Sequence, residues 1–305
     1  YEAFAPYIDK IKNGAQDVLW NGRPIYFAKT SGTTSGAKYI PISKDSISNH
    51  INGARDALLC YMAESGTTEF ANGKMIFLSG SPELERIGSI PTGRLSGIVN
   101  HFIPRYLRGN QLPSYETNCI EDWEVKLDKI VNETMHEDMT LISGIPPWMQ
   151  MYFDWLSERN EGKKIKEIFP NLQAILHGGV NFEPYKARLL DSLGKHVDMI
   201  ETFPASEGFF AFQDVPGKEG LLLNTDSGIF YEFIPADEIF NPSPTRLSLG
   251  EVETGVNYAL IVSTNAGLWG YNIGDTVRFV NTNPYRLVVT GRVKHFISAF
   301  GEHVI

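Results

Sequence analysis

Between residues 121 and 202 the chain switches repeatedly between helical and extended spacing, and few folds accept that alternation. Trp123, Leu127, Ile130 and Val131 recur at helical intervals within 121–136, and a short apolar strand follows over 139–143. Gly144-Ile-Pro-Pro breaks the chain ahead of an amphipathic helix opening at Trp148. A helix over 163–169, a strand over 172–176, a turn at Gly178-Gly179, a helix over 184–193 and a strand over 197–202 complete the series. Strand, helix and strand in succession predict a parallel sheet covered by helices.

The flanking regions read differently. Tyr39-Ile-Pro-Ile continues as an extended piece, Ser43 is positioned to cap a helix, and Ile47, Ile51, Ala54, Leu58 and Tyr61 give that helix one apolar face. Residues 74–79 have the apolar centre of a buried strand, and the Gly/Pro/Ser-rich stretch 80–97 reads as a long loop. After residue 220, segments 221–224 and 229–234 flank Thr225-Asp-Ser-Gly and predict a hairpin, while 257–263, 276–280 and 286–290 add strands. This part should be antiparallel and barrel-like.

Composition narrows the function. A chain of 305 residues, 42% hydrophobic and 12% aromatic, can bury the core of one large domain or two fused subdomains. Acidic residues outnumber basic ones 36 to 27 without a dense Lys/Arg block, so nucleic acid is not an expected partner. No apolar run approaches a bilayer span, so no membrane association and a soluble, cytoplasmic protein are expected. Cys60 and Cys119 are isolated, which supports neither a disulfide scaffold nor a zinc site. A start at Tyr1 rather than Met, and an end at Ile305 within an apolar run, are the marks expected of a piece of a longer chain.

Five segments could carry chemistry. Thr30-Ser-Gly-Thr-Thr-Ser-Gly-Ala-Lys38 offers backbone N–H groups, hydroxyls and an ammonium to polyphosphate oxygens, at a spacing that is not a Walker loop. Glu201-Thr-Phe-Pro-Ala-Ser-Glu-Gly208 follows a strand of the parallel sheet, where ligands bind. There Phe203 is either a stacking face for a base or core, and Glu207 either a cation ligand or a solvated charge. Gly178 and Gly179 either admit a flat ring or form a plain strand-to-helix turn; His177 before them receives no role. Asp275, after a glycine in an expected turn between strands, is either a partner for vicinal ribose hydroxyls or an ordinary turn residue. Arg292 either contacts ribose or phosphate or belongs to a solvated basic turn. A Gly-x-Ser-x-Gly elbow is absent from the sequence, which argues against a serine hydrolase.

In this order and at these separations, the loop ending at Lys38, His177-Gly-Gly-Val180, Phe203-Pro-Ala-Ser-Glu207, Tyr271-Asn-Ile-Gly-Asp275 and Gly291-Arg292 resemble the core motifs of adenylate-forming enzymes. Those enzymes include acyl-CoA synthetases, luciferases and peptide-synthetase adenylation domains. Among them the closer similarity is to the GH3 family of acyl acid-amido synthetases. The resemblance implies an α/β fold, the N-terminal domain of such an enzyme: mainly parallel helix-covered sheets with an antiparallel barrel-like subdomain. Residues 1–219 would form the helix-covered part with the phosphate loop, 220–290 the antiparallel part of the same large domain, and 291–305 the hinge and the start of a C-terminal lid. It implies that ATP phosphates are received by the loop containing Ser31, Gly32, Thr33, Thr34, Gly36 and Lys38, and that Gly178, Gly179 and Phe203 line the nucleotide. Ser206 would meet the α-phosphate, Glu207 would hold Mg2+, Asp275 would take the ribose, and Arg292 would begin the hinge; Thr33, Lys38, Ser206 and Glu207 are the implied catalytic set. Phe203 stands in place of the family's usual tyrosine, and Pro204 where glycine is common. The implied reaction is ATP-dependent activation of a carboxylic acid and transfer to an amine, with an amino acid the favoured acceptor. Segments 90–98 and 144–151 are candidates for the acyl pocket. An acyl-CoA ligase and a non-catalytic nucleotide-binding regulator are the alternatives.

Overall fold

The computed structural model describes residues 1–30, 37–103, 105–293, 297–299 and 302–304. Its main feature is one twelve-stranded sheet. From one edge the strands run Gln111–Leu112, Lys74–Phe77, Met139–Gly144, Ala174–Gly178 and Asp198–Ala205, all parallel. Then come Gly208–Phe212, Leu221–Leu223, Tyr285–Arg292, Tyr271–Thr282, Asn257–Thr264, Ile229–Pro235 and Leu247–Ser248, joined throughout by antiparallel pairings. The change of direction falls at the Asp198–Ala205 and Gly208–Phe212 hairpin.

The parallel strands are apolar on both faces because both are covered. Successive residues point to opposite sides: Ile76, Ile142 and Ile175 pack with Leu127, Ile130, Phe153 and Leu189, while Met75, Leu141, Ala174 and Leu176 pack with Ala57 and Tyr61. The first cover is formed by helices Trp123–Thr134, Pro146–Arg159 and Glu183–Leu193, the second by helix Ile47–Ser65. Asp122 starts its helix as an N-cap, its carboxylate accepting from Val125 N at 2.9 Å. The next helix opens at Pro146 rather than at Trp148, since proline at the first helical positions lacks only an N–H that would have no partner there.

Two local expectations change. The stretch 80–97 is not one loop: Glu85–Ile87 and Ile90–Gly93 form a hairpin in a second, four-stranded sheet with Tyr26–Thr30 and Lys38–Ile42. Nor do Leu221–Leu223 and Ile229–Pro235 pair with each other; three strands lie between them. Instead Leu221, Leu223, Ile229, Tyr231, Phe233, Leu260, Val262, Phe279 and Leu287, from this half of the sheet, share one core. The antiparallel expectation for this part holds where the hairpin does not. The small sheet closes that core from another side through Ala28, Ile40 and Ile42.

Candidate active site

Carboxyl ends of parallel strands form the crevice in which open α/β sheets bind ligands, and several of the singled-out residues lie at those ends. Gly178 ends its strand so close to the next that a Cβ would stand 2.3 Å from the Thr202 carbonyl oxygen. Gly179 follows with φ +79°, in the left-handed region that glycine tolerates. One strand over, Ala205 pairs with Gly208, so Ser206 and Glu207 are the two tip residues of a tight hairpin rather than members of a longer loop.

Charges from distant parts of the chain meet Glu207. Its carboxyl is raised above the ordinary glutamate value first by burial and further by Asp275, while Lys38 and Arg292 oppose the shift. The residue as a whole keeps some exposure, so it is the carboxylate that is desolvated. Asp275 is raised too, by burial, against the restraint of Arg292, whose Nε lies 2.9 Å from Asp275 Oδ1. That pair spans neighbouring strands, where Asp275 is registered with Arg292. Lys38 begins strand Lys38–Ile42, its ammonium 5.8 Å from the centre of the Tyr1 ring. Two desolvated carboxylates with raised pKa values have less positive charge around them than they can use. This donor set fits a divalent cation held by one carboxylate and completed by phosphate and water oxygens, the usual Mg2+ arrangement. Among the described residues no group of three or more His, Cys, Asp or Glu forms a ready-made metal cage.

Other placements differ from expectation. Asp275 is not in a turn between strands: it lies inside strand Tyr271–Thr282 at a register shift, where Gly274 has φ +89° and its N–H donates to Asn272 Oδ1 at 2.8 Å. A β-bulge of this kind re-aims a side chain. Phe203 is 6% exposed and meets Phe210 edge to face at 5.2 Å, so it belongs to the core and offers no free face to a base. Ser31, Gly32, Thr33, Thr34 and Gly36 lie outside the described residues; Thr30 and Lys38, on either side, are a cross-strand pair. His177 is buried, stacks on Phe182 at 4.0 Å and has its pKa lowered to about 4 by burial.

Sequence reasoning missed Tyr271. Its phenol is buried, meets Phe4 edge to face and is pushed well above the usual range by burial and then by the nearby Glu207 carboxylate. The motif contained it, but nothing in the spacing tied it to a hairpin more than sixty positions earlier. An open depression of about 510 Å³ bounded by Lys164, Leu190, Asp191, Gly194, Lys195 and His196 lies near the opposite, amino end of strand Asp198–Ala205 and contains none of these groups.

The fold is one shared with the large domain of solved ligases. Over 95% of its length the chain superposes on a 2-hydroxyisobutyryl-CoA ligase in complex with 2-HIB-AMP and CoA, with a TM-score of 0.53 at 15% identity, spanning 61% of that chain. It superposes more closely on a GH3.15 acyl acid amido synthetase in complex with 2,4-DB, with a TM-score of 0.75 at 16% identity over 98% of this chain and 61% of the other. Residues 1–110 match the GH3 family N-terminal domain and residues 222–292 the GH3 family central domain. The chain belongs to the GH3 family. It is also 29% identical over 121 residues to a jasmonoyl-L-amino acid synthetase, JAR4, of Nicotiana attenuata, a match covering 37% of this chain and 21% of that protein. The chain thus spans about three fifths of the solved relatives' length and a fifth of that curated one.

Proposed function

We propose that the protein containing this chain activates a carboxylic acid with ATP as an acyl-adenylate and passes the acyl group to an amine, an amino acid being the favoured acceptor. The observation that carries the proposal is the meeting of Lys38, Glu207, Asp275 and Arg292, from four separate segments, beside the hairpin at the carboxyl end of strand Asp198–Ala205. Membership of a family whose relatives bear the names acyl acid amido synthetase and amino acid synthetase supports it.

In the first half-reaction a carboxylate oxygen forms a bond to the α-phosphorus and the bond to the bridging oxygen breaks, with pyrophosphate leaving. Lys38, at the end of the phosphate loop, opposes charge building on the departing phosphates, a contribution commonly worth about 3 kcal/mol for a well-placed group. Asp275, with two acceptor oxygens steadied by Arg292, suits the ribose hydroxyls. Ser206 is placed at the hairpin tip to donate to the α-phosphate. Mg2+ held by Glu207 would neutralise phosphate charge when bound. In the second half-reaction the amine nitrogen attacks the acyl carbon, AMP leaves, and the amine gives up a proton to solvent. No side-chain nucleophile is required. On the same reading residues 291–305 act as the hinge, with 1–219 and 220–290 as the two parts of one large domain. Among the described residues no helix is long and apolar enough to cross a membrane, and we place the reaction in the cytoplasm.

The test is pyrophosphate exchange by the full-length protein over a panel of carboxylic acids, followed by amide formation on adding amino acids without coenzyme A. Exchange that depends on the acid, and AMP release that depends on the amino acid, are expected. Thioester formation as the only productive outcome, or ATP binding with no exchange for any acid, would overturn the reading.

A further inference from the structure

The hairpin that carries Glu207 is not held by its own turn. Two-residue hairpins favour turns with positive φ, whose twist matches the strands, and other turn types splay them. Neither Ser206 nor Glu207 has positive φ. Directly after the tip, the pairing slips so that Phe210 is left over between Phe209, opposite Pro204, and Ala211, opposite Phe203. Phe209 is also poorly served on its other side. The neighbouring strand Leu221–Leu223 makes its last pairing, Leu223 with Ala211, before reaching it, and Pro204 has no N–H to give.

One side chain fills that gap. Asn49 Oδ1 accepts the Phe209 N–H at 2.7 Å, and Asn49 Nδ2 donates to the Phe209 carbonyl at 3.2 Å. Its amide thus serves Phe209 as a strand partner would. Asn49 is 5% exposed and Phe209 4%, so neither main-chain group has water as a substitute. The contact is tight as well as polar. At Gly53, one turn along the same helix, a Cβ would stand 2.3 Å from the Phe209 ring, and at Gly208 one would stand 3.4 Å from Asn49 Oδ1.

We propose that Asn49 is a positioning residue for Glu207, fixing the register of the hairpin two residues beyond the tip and thereby the place of the carboxylate. The inference rests on the reading of Glu207 as the Mg2+ ligand. Helix Ile47–Ser65 follows strand Lys38–Ile42 through a turn closed by Ser43 and Ser46, whose backbone N–H groups and hydroxyls bond reciprocally at 2.9 Å. Asn49 therefore ties the segment carrying Lys38 to the hairpin carrying Glu207. Without its amide, Phe209 would be left with unpaired buried groups, and the hairpin would slide to recover partners.

The experiment measures ATP affinity of the full-length protein by calorimetry, once in EDTA and once in MgCl2. Wild type should bind ATP more tightly with Mg2+. Asn49→Leu, close in volume and unable to hydrogen-bond, should lose roughly tenfold of that Mg2+-dependent gain while its affinity in EDTA stays within about twofold, as expected when the support of a metal ligand is removed. Asn49→Asp keeps an acceptor for the Phe209 N–H and should fall between the two. If Asn49→Leu lacks a cooperative melt, Asn49→Asp carries the same comparison. A variant that keeps the full Mg2+-dependent gain, or that loses affinity equally in both buffers, overturns the inference. Wild type that binds no ATP overturns the proposed function itself.

Discussion

Glu207 is held in a site that works against its charge: burial and then Asp275 raise its pKa, against the lowering effect of its own backbone N–H, Lys38 and Arg292. Glu207→Gln should therefore leave the melting temperature unchanged or slightly higher while lowering acid-dependent pyrophosphate exchange by about two orders of magnitude. A fall in both would assign the residue to the scaffold. Gly178 shows the converse. Its sequence context favoured a plain turn over a flat ring approaching the backbone, and the structure puts the Thr202 carbonyl where a Cβ would go. Gly178→Ala is expected to cost about 1–3 kcal/mol in urea unfolding, the usual penalty of overfilling a packed site. Spacing along the chain did not reveal this, because the obstructing atom belongs to the neighbouring strand. Phe203 illustrates a different limit: a phenylalanine at a strand end reads alike whether it faces ligand or core, and only the Phe210 ring beside it settles which.

Among the elements, those covered on both faces were legible and those defined by pairing were not. Strands Met139–Gly144 and Ala174–Gly178 stand out as apolar runs because helices bury both their sides. Glu85–Ile87 is short and exposed, so it left no apolar trace, and the turn signal at Thr225-Asp-Ser-Gly does not say which strands it joins. Helix Ile47–Ser65 was found, and Ile47, Ile51, Leu58 and Tyr61 do face the core, but apolar spacing included Ala54, which is exposed, and passed over Asn49, His50 and Gly53, which are buried. An amide, an imidazole and a glycine add nothing to a hydrophobic signature, so their part of the buried face went unread. One consequence has a testable sign. Alanine normally stabilises an interior helix position over glycine by about 1 kcal/mol, yet at Gly53 the added methyl would meet the Phe209 ring. Gly53→Ala should therefore destabilise the protein in denaturant unfolding, by about 1–3 kcal/mol; a gain in stability would contradict the packing described.

Across the whole molecule, acid should weaken the fold through its buried imidazoles. His50 and His177 have pKa values lowered to about 4 by burial, so the folded protein keeps them neutral where an unfolded chain would protonate them. Their contribution is complete above pH about 6.5 and is lost as pH falls toward 4, on the order of 2–3 kcal/mol for each. Glu207 and Asp275 act in the opposite sense. With pKa values raised in the folded state, they favour the fold as pH falls through those values toward the ordinary carboxylate range. Comparing denaturant unfolding of wild type and His50→Gln from pH 7 to 4.5 isolates one imidazole; the variant should lose less stability on acidification. The order of the motifs identified the family correctly, while the junction between parallel and antiparallel strands at Glu207 emerged only from the sheet. The most direct measurement is a crystal structure of the full-length protein with α,β-methylene-ATP and Mg2+. The expected result has the ribose hydroxyls on Asp275, the α-phosphate at Ser206 and the metal on Glu207. A nucleotide bound elsewhere, with the Asp275–Arg292 pair and the hairpin tip making no contact to it, would contradict the convergence of these segments on one ATP site.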